Sequence, residues 1–282
     1  LGHPISVQAM EMAIKKAESH DVGIVCVRNS HHFGAAGYYA EIAARHGFIG
    51  IVTTSTRGIS MVPTRGTQPV LGTNPFAFAA PAGKYDPLVL DFATTVAAVN
   101  KVKVRRLREL QLPDGWVNDG DGRTISDPNE AIRIFDNKSF GGLNPVGGIG
   151  ETLGGHKGYG LAVFSHILSG AMPGASFSPV RVKNGNADTP DDLGHYFQAI
   201  NPESFRTKEE YENDIEVVIE TLRSVKPSDP DKPVLVPGEP EQISRKDRQK
   251  NGIPVNRNLR NLIKEIAQNA GVKYLLTNNT IP

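Results

Sequence analysis

The sequence contains very little cysteine and almost no net charge. Cys26 is the only cysteine among 282 residues, so a disulfide framework within the chain is excluded. One small buried thiol and a reducing, cytoplasmic location are the simplest interpretation. The net charge is +1, too small to indicate binding to nucleic acid or to an anionic membrane. We therefore expect neither of these as a partner.

Long apolar runs are also missing. No run approaches the ~20 residues that a membrane-spanning helix requires. The composition, with 39% hydrophobic and 22% charged residues, is typical of a globular protein with a substantial core. The length exceeds the roughly 100–200 residues of one typical domain, so one large or two modest domains are expected. The chain opens at Leu1, and we expect an N-terminal segment to be missing from it.

Neither of the two common phosphate-binding patterns occurs in the glycine-dense segment 141–160. Lys157 is followed by Gly158 rather than by Ser or Thr, which excludes a Walker A loop. No GxGxxG sequence follows a strand, so the Rossmann fingerprint is absent. Glycine-rich backbone can still hold an anion through its N–H groups. Lys157 at a helix start favours anion binding over the alternative, a flexible loop that leads into a helix over residues 161–169.

Helices and strands alternate in the first part of the chain. Hydrophobic periodicity predicts helices over residues 6–20 and 37–46. Two apolar runs, 22–27 and 48–53, predict strands, and the first reads as a strand covered on both faces. This strand–helix–strand unit indicates an α/β fold.

The remaining elements are predicted by turn signals and periodicity. In order they are an extended loop over 54–69, strands Phe76–Ala80 and Leu88–Phe92, a helix from Ala93 with a solvated basic face, a strand over 196–200, a helix after the capping box at Thr207 and Glu210, and a last helix over 258–270. Two apolar stripes are predicted to face the core. They are Tyr211, Ile215, Val218, Leu222 and Val225 on one helix, and Leu259, Leu262, Ile263 and Ile266 on the other. Residues 277–282 are expected to fray.

A polar turn follows the first strand and precedes a helix. It contains His31 and His32, whose imidazoles titrate near 6.5 when unperturbed. The carboxyl end of a strand and the positive end of a helix converge at such a turn, and α/β proteins commonly bind ligands there. The alternative is a surface loop that contains two histidines.

Five motifs in a fixed order carry a family resemblance. NSHHFGAAGYYA, LGTNPFAFAAP, LVLDFAT, GGHKGYGLA and PGEPE resemble the type-2 malate/L-lactate dehydrogenase family, which includes ureidoglycolate, sulfolactate and diketogulonate enzymes. The resemblance extends from Leu1 to about Gly271. It implies an α/β fold with a mixed sheet, a non-Rossmann NAD(P)-binding region and a helical accessory domain. It also implies a cofactor-binding domain over 71–200, a second domain from 1–70 and 201–282, and a homodimer.

The resemblance implies hydride transfer between NAD or NADP and a small 2-hydroxy or 2-oxo acid, with no metal. Malate and oxaloacetate are the best single guess, and lactate, ureidoglycolate and sulfolactate stay open. Family members carry an upstream Ser-His-Gly segment followed by an arginine, and no such segment occurs here. An inactive truncated paralogue that binds cofactor, or an interaction module, therefore remains an alternative.

The resemblance also assigns site residues. His32 matches the general acid/base and His31 is its neighbour. Asp91 matches an aspartate that orients a catalytic histidine in some members, although a helix N-cap would also suit it. The positions that match cofactor contacts are Ser55, Thr56, Phe92, Ala93, Thr94, Lys157, Gly158, Gly238 and Glu239.

Overall fold

The computed structural model describes residues 1–180 and 189–276. Its strands are β1 Val22–Ser30, β2 Ile49–Thr54, β3 Phe76–Ala80, β4 Leu88–Phe92, β5 Val117–Asn118, β6 Gly142–Leu143 and β7 Leu193–Ile200. Its α-helices are α1 Gly2–His20, α2 Ala36–Arg45, α3 Val99–Leu107, α4 Pro128–Asn137, α5 Gly155–His166, α6 Lys208–Ser224, α7 Glu239–Asn251 and α8 Arg257–Asn269. A π-helical turn, Ile167–Ala171, continues α5, and Pro202–Ser204 is a 3₁₀ turn.

The main sheet has the strand order β1-β7-β2-β3-β4, and each neighbouring pair is antiparallel. It follows that β1, β2 and β4 run parallel to one another and end at the same edge. The polar residues that follow these strands therefore meet there. The predicted α/β class is confirmed. The sheet takes strands from both 1–70 and 71–200, and the division of the chain into two domains stays a prediction.

Two glycines bring α1 and α2 close to one face of the sheet. A methyl group on Gly23 of β1 would overlap the carbonyl oxygen of Ala13, and one on Gly50 of β2 would overlap that of Ala40. The facing side chains of both helices are mostly alanine, and the core between helices and sheet includes Met10, Tyr39 and Phe197. Small residues on both sides allow this approach, and close packing favours the dispersion contacts of the core.

One prediction about β1 is wrong. The strand was predicted to be covered on both faces, yet Ile24 is 45% exposed and Cys26 is exposed as well. The reason is that β1 is the edge strand of the sheet and α1 packs on only one of its faces. A continuous apolar run does not distinguish a central strand from such an edge.

Two helix starts also differ from the prediction. The helix expected from Ala93 begins at Val99, because the preceding residues bond to other segments: Thr94 N–H donates to Thr73 O, and Val96 N–H donates to Asn144 O. The helix expected from residue 161 begins at Gly155. Its first turn therefore includes Gly155 and Gly158, which the alternative interpretation placed in a flexible loop.

The two C-terminal apolar stripes are not buried as predicted. The capping box at Thr207 is confirmed, but Val218 is 47% exposed and α6 buries Ile219 instead, against Ala82 and Val236. On α8 the buried residue is Ala267, whereas Leu259, Leu262 and Ile266 are exposed. Each helix contacts its neighbours over a narrow strip. Residues 277–282 lie outside the described part of the chain.

None of the helices described in residues 1–180 and 189–276 has the length and hydropathy needed to cross a membrane.

The close approach of α1 to β1 leads to a stability prediction. Gly23→Ala should lower the free energy of unfolding by about 3 kcal/mol, because its methyl group overlaps backbone atoms of α1. Gly160→Ala is the matched control, since a methyl group there meets nothing within 4 Å. Because Gly160 lies in the interior of α5, where alanine favours the helix more than glycine does, this change should raise the free energy of unfolding by at most about 1 kcal/mol. Urea unfolding measures both, and equal effects of the two changes would contradict the packing described.

Candidate functional site

The polar turn after β1 presents His32 at the edge where β1, β2 and β4 end. His32 is exposed, and its Nδ1 accepts a hydrogen bond of 3.1 Å from the backbone N–H of Gly34. A neutral His32 therefore carries its ring hydrogen on Nε2. Gly34 has φ 83°, a conformation that glycine adopts without strain, and it turns the chain into α2.

A second histidine lies directly beneath this turn. His195 of β7 is fully buried, and its ring stacks on that of Phe33 at a centroid distance of 4.5 Å. Its Nε2 lies 2.9 Å from Ser30 Oγ and its Nδ1 lies 2.6 Å from Thr54 Oγ1. Burial lowers the pKa of His195 to about 4, so the ring is neutral at pH 7. It joins the ends of β1 and β2 through the two hydroxyls.

His195 is not among the site residues predicted from the sequence. The signal that could have found it is a histidine inside an otherwise apolar strand, since a buried imidazole needs polar partners on both ring nitrogens. Ser30 and Thr54 end two other strands, but which strands flank β7 cannot be read from local sequence.

The two residues after β2 are anchored by hydrogen bonds. Ser55 Oγ accepts from the N–H of Gly194 at 3.0 Å. Thr56 donates to Asn74 Oδ1 through both its backbone N–H, at 3.3 Å, and its hydroxyl, at 3.1 Å. Asn74 is itself buried and donates to Ala162 O. The loop that follows β2 is therefore fixed where it begins.

Asp91, at the end of β4, caps α2. Its Oδ2 accepts a 2.8 Å hydrogen bond from the N–H of Gly37, and the residue at the N-cap position of α2, Ala35, offers no side-chain bond. Burial of the carboxyl raises the pKa of Asp91, and Glu241 also raises it, while the Gly37 bond acts to lower it. In the described part of the chain no hydrogen bond joins Asp91 to His32. This hydrogen bond agrees with the alternative interpretation of Asp91 as a helix cap, and the helix that it caps is α2.

A cavity of about 620 Å³ opens above this edge, between the sheet and the α3–α4 lobe. We call it the His32 cavity. It brings together five of the predicted site residues: His32, Ser55, Thr56, Asp91 and Ala93. Its lining also includes charged residues of both signs, namely Arg57, Lys103, Lys138, Asp136 and Asp191.

A second cavity, of about 690 Å³, lies between α2, β4 and α7. We call it the Gly238 cavity. Ala35 and Asp91 line both cavities, so the two adjoin at the start of α2. Its walls are mainly apolar near Leu90 and Leu235. Burial acts to raise the pKa of Glu41 in this wall, but hydrogen bonds from Arg245 and Arg45 outweigh it and the pKa is lowered.

Gly238 lines the Gly238 cavity, and the remaining predicted cofactor residues line neither cavity. Thr94 is fully buried and its hydroxyl donates to Thr73 O at 2.9 Å. Phe92 packs against Phe76, with ring centroids 6.0 Å apart. Glu239 is paired with Arg223 and accepts from the N–H of Val236.

Lys157 and Gly158 lie on the first turn of α5, also outside the two cavities. Lys157 is exposed, whereas Gly158 is buried against the backbone of Val146. Among the residues that the structure describes, no three His, Cys, Asp or Glu side chains come together as a metal ion would require.

Sequence reasoning also missed the charged residues at the mouth of the His32 cavity. Asp191 lies between an imidazole and a guanidinium: its Oδ2 is 3.1 Å from His31 Nδ1 and its Oδ1 is 3.0 Å from Arg57 Nη1. Lys103 belongs to the basic run of α3 that was predicted to be solvated, yet it lines the cavity. Helical periodicity counted from the true start of α3 could have shown that Lys103 faces the cavity. The helix was predicted to begin at Ala93 instead of Val99, so the count began at the wrong residue.

The low pKa of His195 predicts an effect of pH on stability. Between its unfolded value of 6.5 and the native value of about 4, only the unfolded chain gains a proton, so stability falls as the pH falls. From pH 7 to pH 5 this group should cost about 2 kcal/mol. His195→Gln should be less stable at pH 7 and should lose less than the wild type on acidification. Urea unfolding at both pH values measures this, and equal losses would contradict a buried neutral imidazole.

Comparison with known proteins gives the family. The model for malate/L-lactate dehydrogenases matches residues 1–264. The chain is 39% identical to a malate dehydrogenase of Pyrococcus abyssi over 274 residues, which is 97% of this chain and 73% of that protein. It is 36% identical to an L-sulfolactate dehydrogenase of Methanocaldococcus jannaschii, over 96% of this chain and 74% of that protein.

A solved structure agrees with the fold. The crystal structure of malate dehydrogenase from Entamoeba histolytica superposes with a TM-score of 0.88 at 33% identity, covering 98% of this chain and 76% of that one. Both the sequence and the fold therefore match dehydrogenases named for small hydroxy acids. The chain belongs to the malate/L-lactate dehydrogenase family and is a malate dehydrogenase-like oxidoreductase.

Proposed function

We propose that the protein transfers a hydride between NAD or NADP and a small 2-hydroxy or 2-oxo acid, with malate and oxaloacetate as the preferred pair. The observation that carries this proposal is the His32 cavity, in which an exposed imidazole shares one space with Arg57, Lys103 and Lys138. An acid/base group beside several cations suits an anionic substrate whose hydroxyl gains or loses a proton. The malate and sulfolactate dehydrogenases among the relatives support this substrate class.

The two adjoining cavities suit an extended dinucleotide. The nicotinamide must approach the substrate carbon near His32, so we assign that end to the His32 cavity, where Ser55, Thr56 and Ala93 lie. The adenosine end then occupies the Gly238 cavity, whose apolar walls suit a base. A methyl group on Gly238 would lie 3.0 Å from Val89 N, so this corner is tight. When bound, the cofactor accepts or donates the hydride.

His32 handles the proton in this proposal. With Nδ1 engaged by the N–H of Gly34, the Nε2–H donates to the oxygen on the reacting carbon. To deliver a proton, His32 must first be an imidazolium, in which both ring nitrogens carry hydrogen and act as donors. Nδ1 can then no longer accept from the N–H of Gly34, so this hydrogen bond must break when the ring is protonated. Asp91 positions this turn through α2, because it accepts a hydrogen bond from the N–H of Gly37 in the first turn of that helix.

We also propose that a second copy of the chain covers an apolar surface on α5 and its π-helical extension. Its exposed side chains are Leu161, Phe164 and Ile167, and the exposed Met172 directly follows the extension. Contiguous apolar surface of this kind typically marks an interface between proteins. A homodimer of isologous contacts is the commonest way to bury it.

Replacing His32 tests its role as the acid/base. His32→Ala should lower kcat for oxaloacetate reduction by at least about 100-fold, while cofactor affinity stays nearly unchanged. His31→Ala is the control, because His31 bonds to Asp191 and does not line the cavity. Stopped-flow absorbance of the reduced cofactor gives the rate. The reverse pattern would assign the role to His31, and cofactor binding without wild-type turnover would favour an inactive paralogue.

The position of the adenosine end is tested at Tyr38, which lines the Gly238 cavity and is 57% exposed. Removal of an aromatic surface that stacks on a base costs about 1–3 kcal/mol, so Tyr38→Ala should raise the cofactor Kd about tenfold. Tyr274→Ala, outside both cavities, should leave the Kd unchanged. Titration of reduced-cofactor fluorescence measures both, and an unchanged Kd in Tyr38→Ala would exclude this placement.

A further inference from the structure

Arg57 extends into the His32 cavity from a rigid point of the backbone. The preceding residue, Thr56, is held by Asn74 through two hydrogen bonds and receives a third at its carbonyl oxygen from the hydroxyl of Ser178. Gly72 packs so closely against Thr56 that any side chain there would overlap the threonine hydroxyl. The Cα of Arg57 is therefore well fixed, although its side chain is 61% exposed.

The guanidinium of Arg57 is also oriented. Its Nη1 lies 3.0 Å from Asp191 Oδ1, and the other oxygen of that carboxylate is 3.1 Å from His31 Nδ1. One contact of this kind occupies only part of a guanidinium, which has five N–H donors in a planar fork. The remaining donors match the two oxygens of a carboxylate, or of a sulfonate, in bidentate geometry.

Arg57 and His32 line the same cavity from two different loops. Arg57 follows β2 and His32 follows β1. Asp191 contacts both the guanidinium of Arg57 and His31, the residue next to His32. A substrate that contacts both Arg57 and His32 therefore needs an anionic group as well as the oxygen on its reacting carbon.

The two lysines of the cavity are less suited to this selection. Lys103 lies on α3 and Lys138 directly follows α4, and both line the His32 cavity. Each is an exposed ammonium on a flexible stem, and an ammonium attracts anions as a point charge without a fixed orientation. They raise the local positive potential for every acid substrate alike.

We propose that Arg57 binds the distal carboxylate or sulfonate of the substrate, and so selects 2-oxo acids with a second anionic group over monocarboxylic ones. This inference rests on the proposed function of the His32 cavity. Asp191 holds the guanidinium in place before the substrate arrives, which reduces the ordering cost of binding. Arg57 is in this sense a specificity-determining residue.

The kinetic test compares oxaloacetate with pyruvate, which lacks the distal carboxylate. Arg57→Gln should lower the ratio of kcat/KM for oxaloacetate to that for pyruvate by roughly 10- to 100-fold, the effect of removing a charge-assisted bidentate contact. Arg206→Gln is the matched control, because Arg206 also pairs with one aspartate, Asp214, but lies outside both cavities. It should leave the ratio unchanged. An unchanged ratio in Arg57→Gln would overturn the proposal.

A binding measurement separates failure of this inference from failure of the proposed reaction. Calorimetric titrations of malate and lactate into the wild type and Arg57→Gln, with oxidised cofactor present, require no turnover. Tighter binding of malate in the wild type, lost in Arg57→Gln, supports the role of Arg57 even where oxaloacetate is not reduced. Equal affinity of the wild type for both acids, or a malate preference that persists in the variant, refutes it.

Discussion

A single buried imidazole couples the two halves of the site. His195 uses both ring nitrogens to join Ser30 and Thr54, the last residues of β1 and β2. The turn with His32 and the loop with Arg57 therefore share one support, supplied by a strand from much later in the sequence. Because its burial depresses the pKa to about 4, the ring is neutral at physiological pH and each hydroxyl keeps a partner. The two loops are polar and exposed, but each begins at a residue, Ser30 or Thr54, that His195 holds in place.

This support works because the sheet itself is held tightly. Gly23 and Gly50 let α1 and α2 lie directly on β1 and β2, which leaves little freedom for either strand to slide. With β7 inserted antiparallel between them, β1 and β2 end at the same edge, and β4 ends there as well. From β4, Asp91 accepts a hydrogen bond from the N–H of Gly37 in the first turn of α2. The packing of α1 and α2, the order of the strands and the hydrogen bond from Gly37 to Asp91 thus all fix the same edge of the sheet. The His32 cavity opens at this edge.

Local signals in the sequence predicted the strands and the histidine turn but not the partners across the chain. β3 and β4 occur at the predicted bounds, since turn residues and apolar runs are encoded locally. The insertion of β7, and with it the role of His195, depends on pairing between residues 165 positions apart. The exposed side chains of α6 and α8 show a related limit: an amphipathic stripe indicates which face is apolar, but neighbouring elements determine how much of it is covered.

The electrostatic potential of the His32 cavity cannot be read from a count of its charged residues. Three cationic residues and three aspartates line it. Two of the carboxylates have partners: Asp91 accepts a hydrogen bond from the N–H of Gly37, and Asp191 contacts Arg57 and His31. The guanidinium of Arg57 offsets the charge of Asp191, so this carboxylate adds little repulsion to an incoming anion. In the described residues neither Lys103 nor Lys138 has an ion pair within 4.0 Å, so the charge of each ammonium group stays available to an incoming anion.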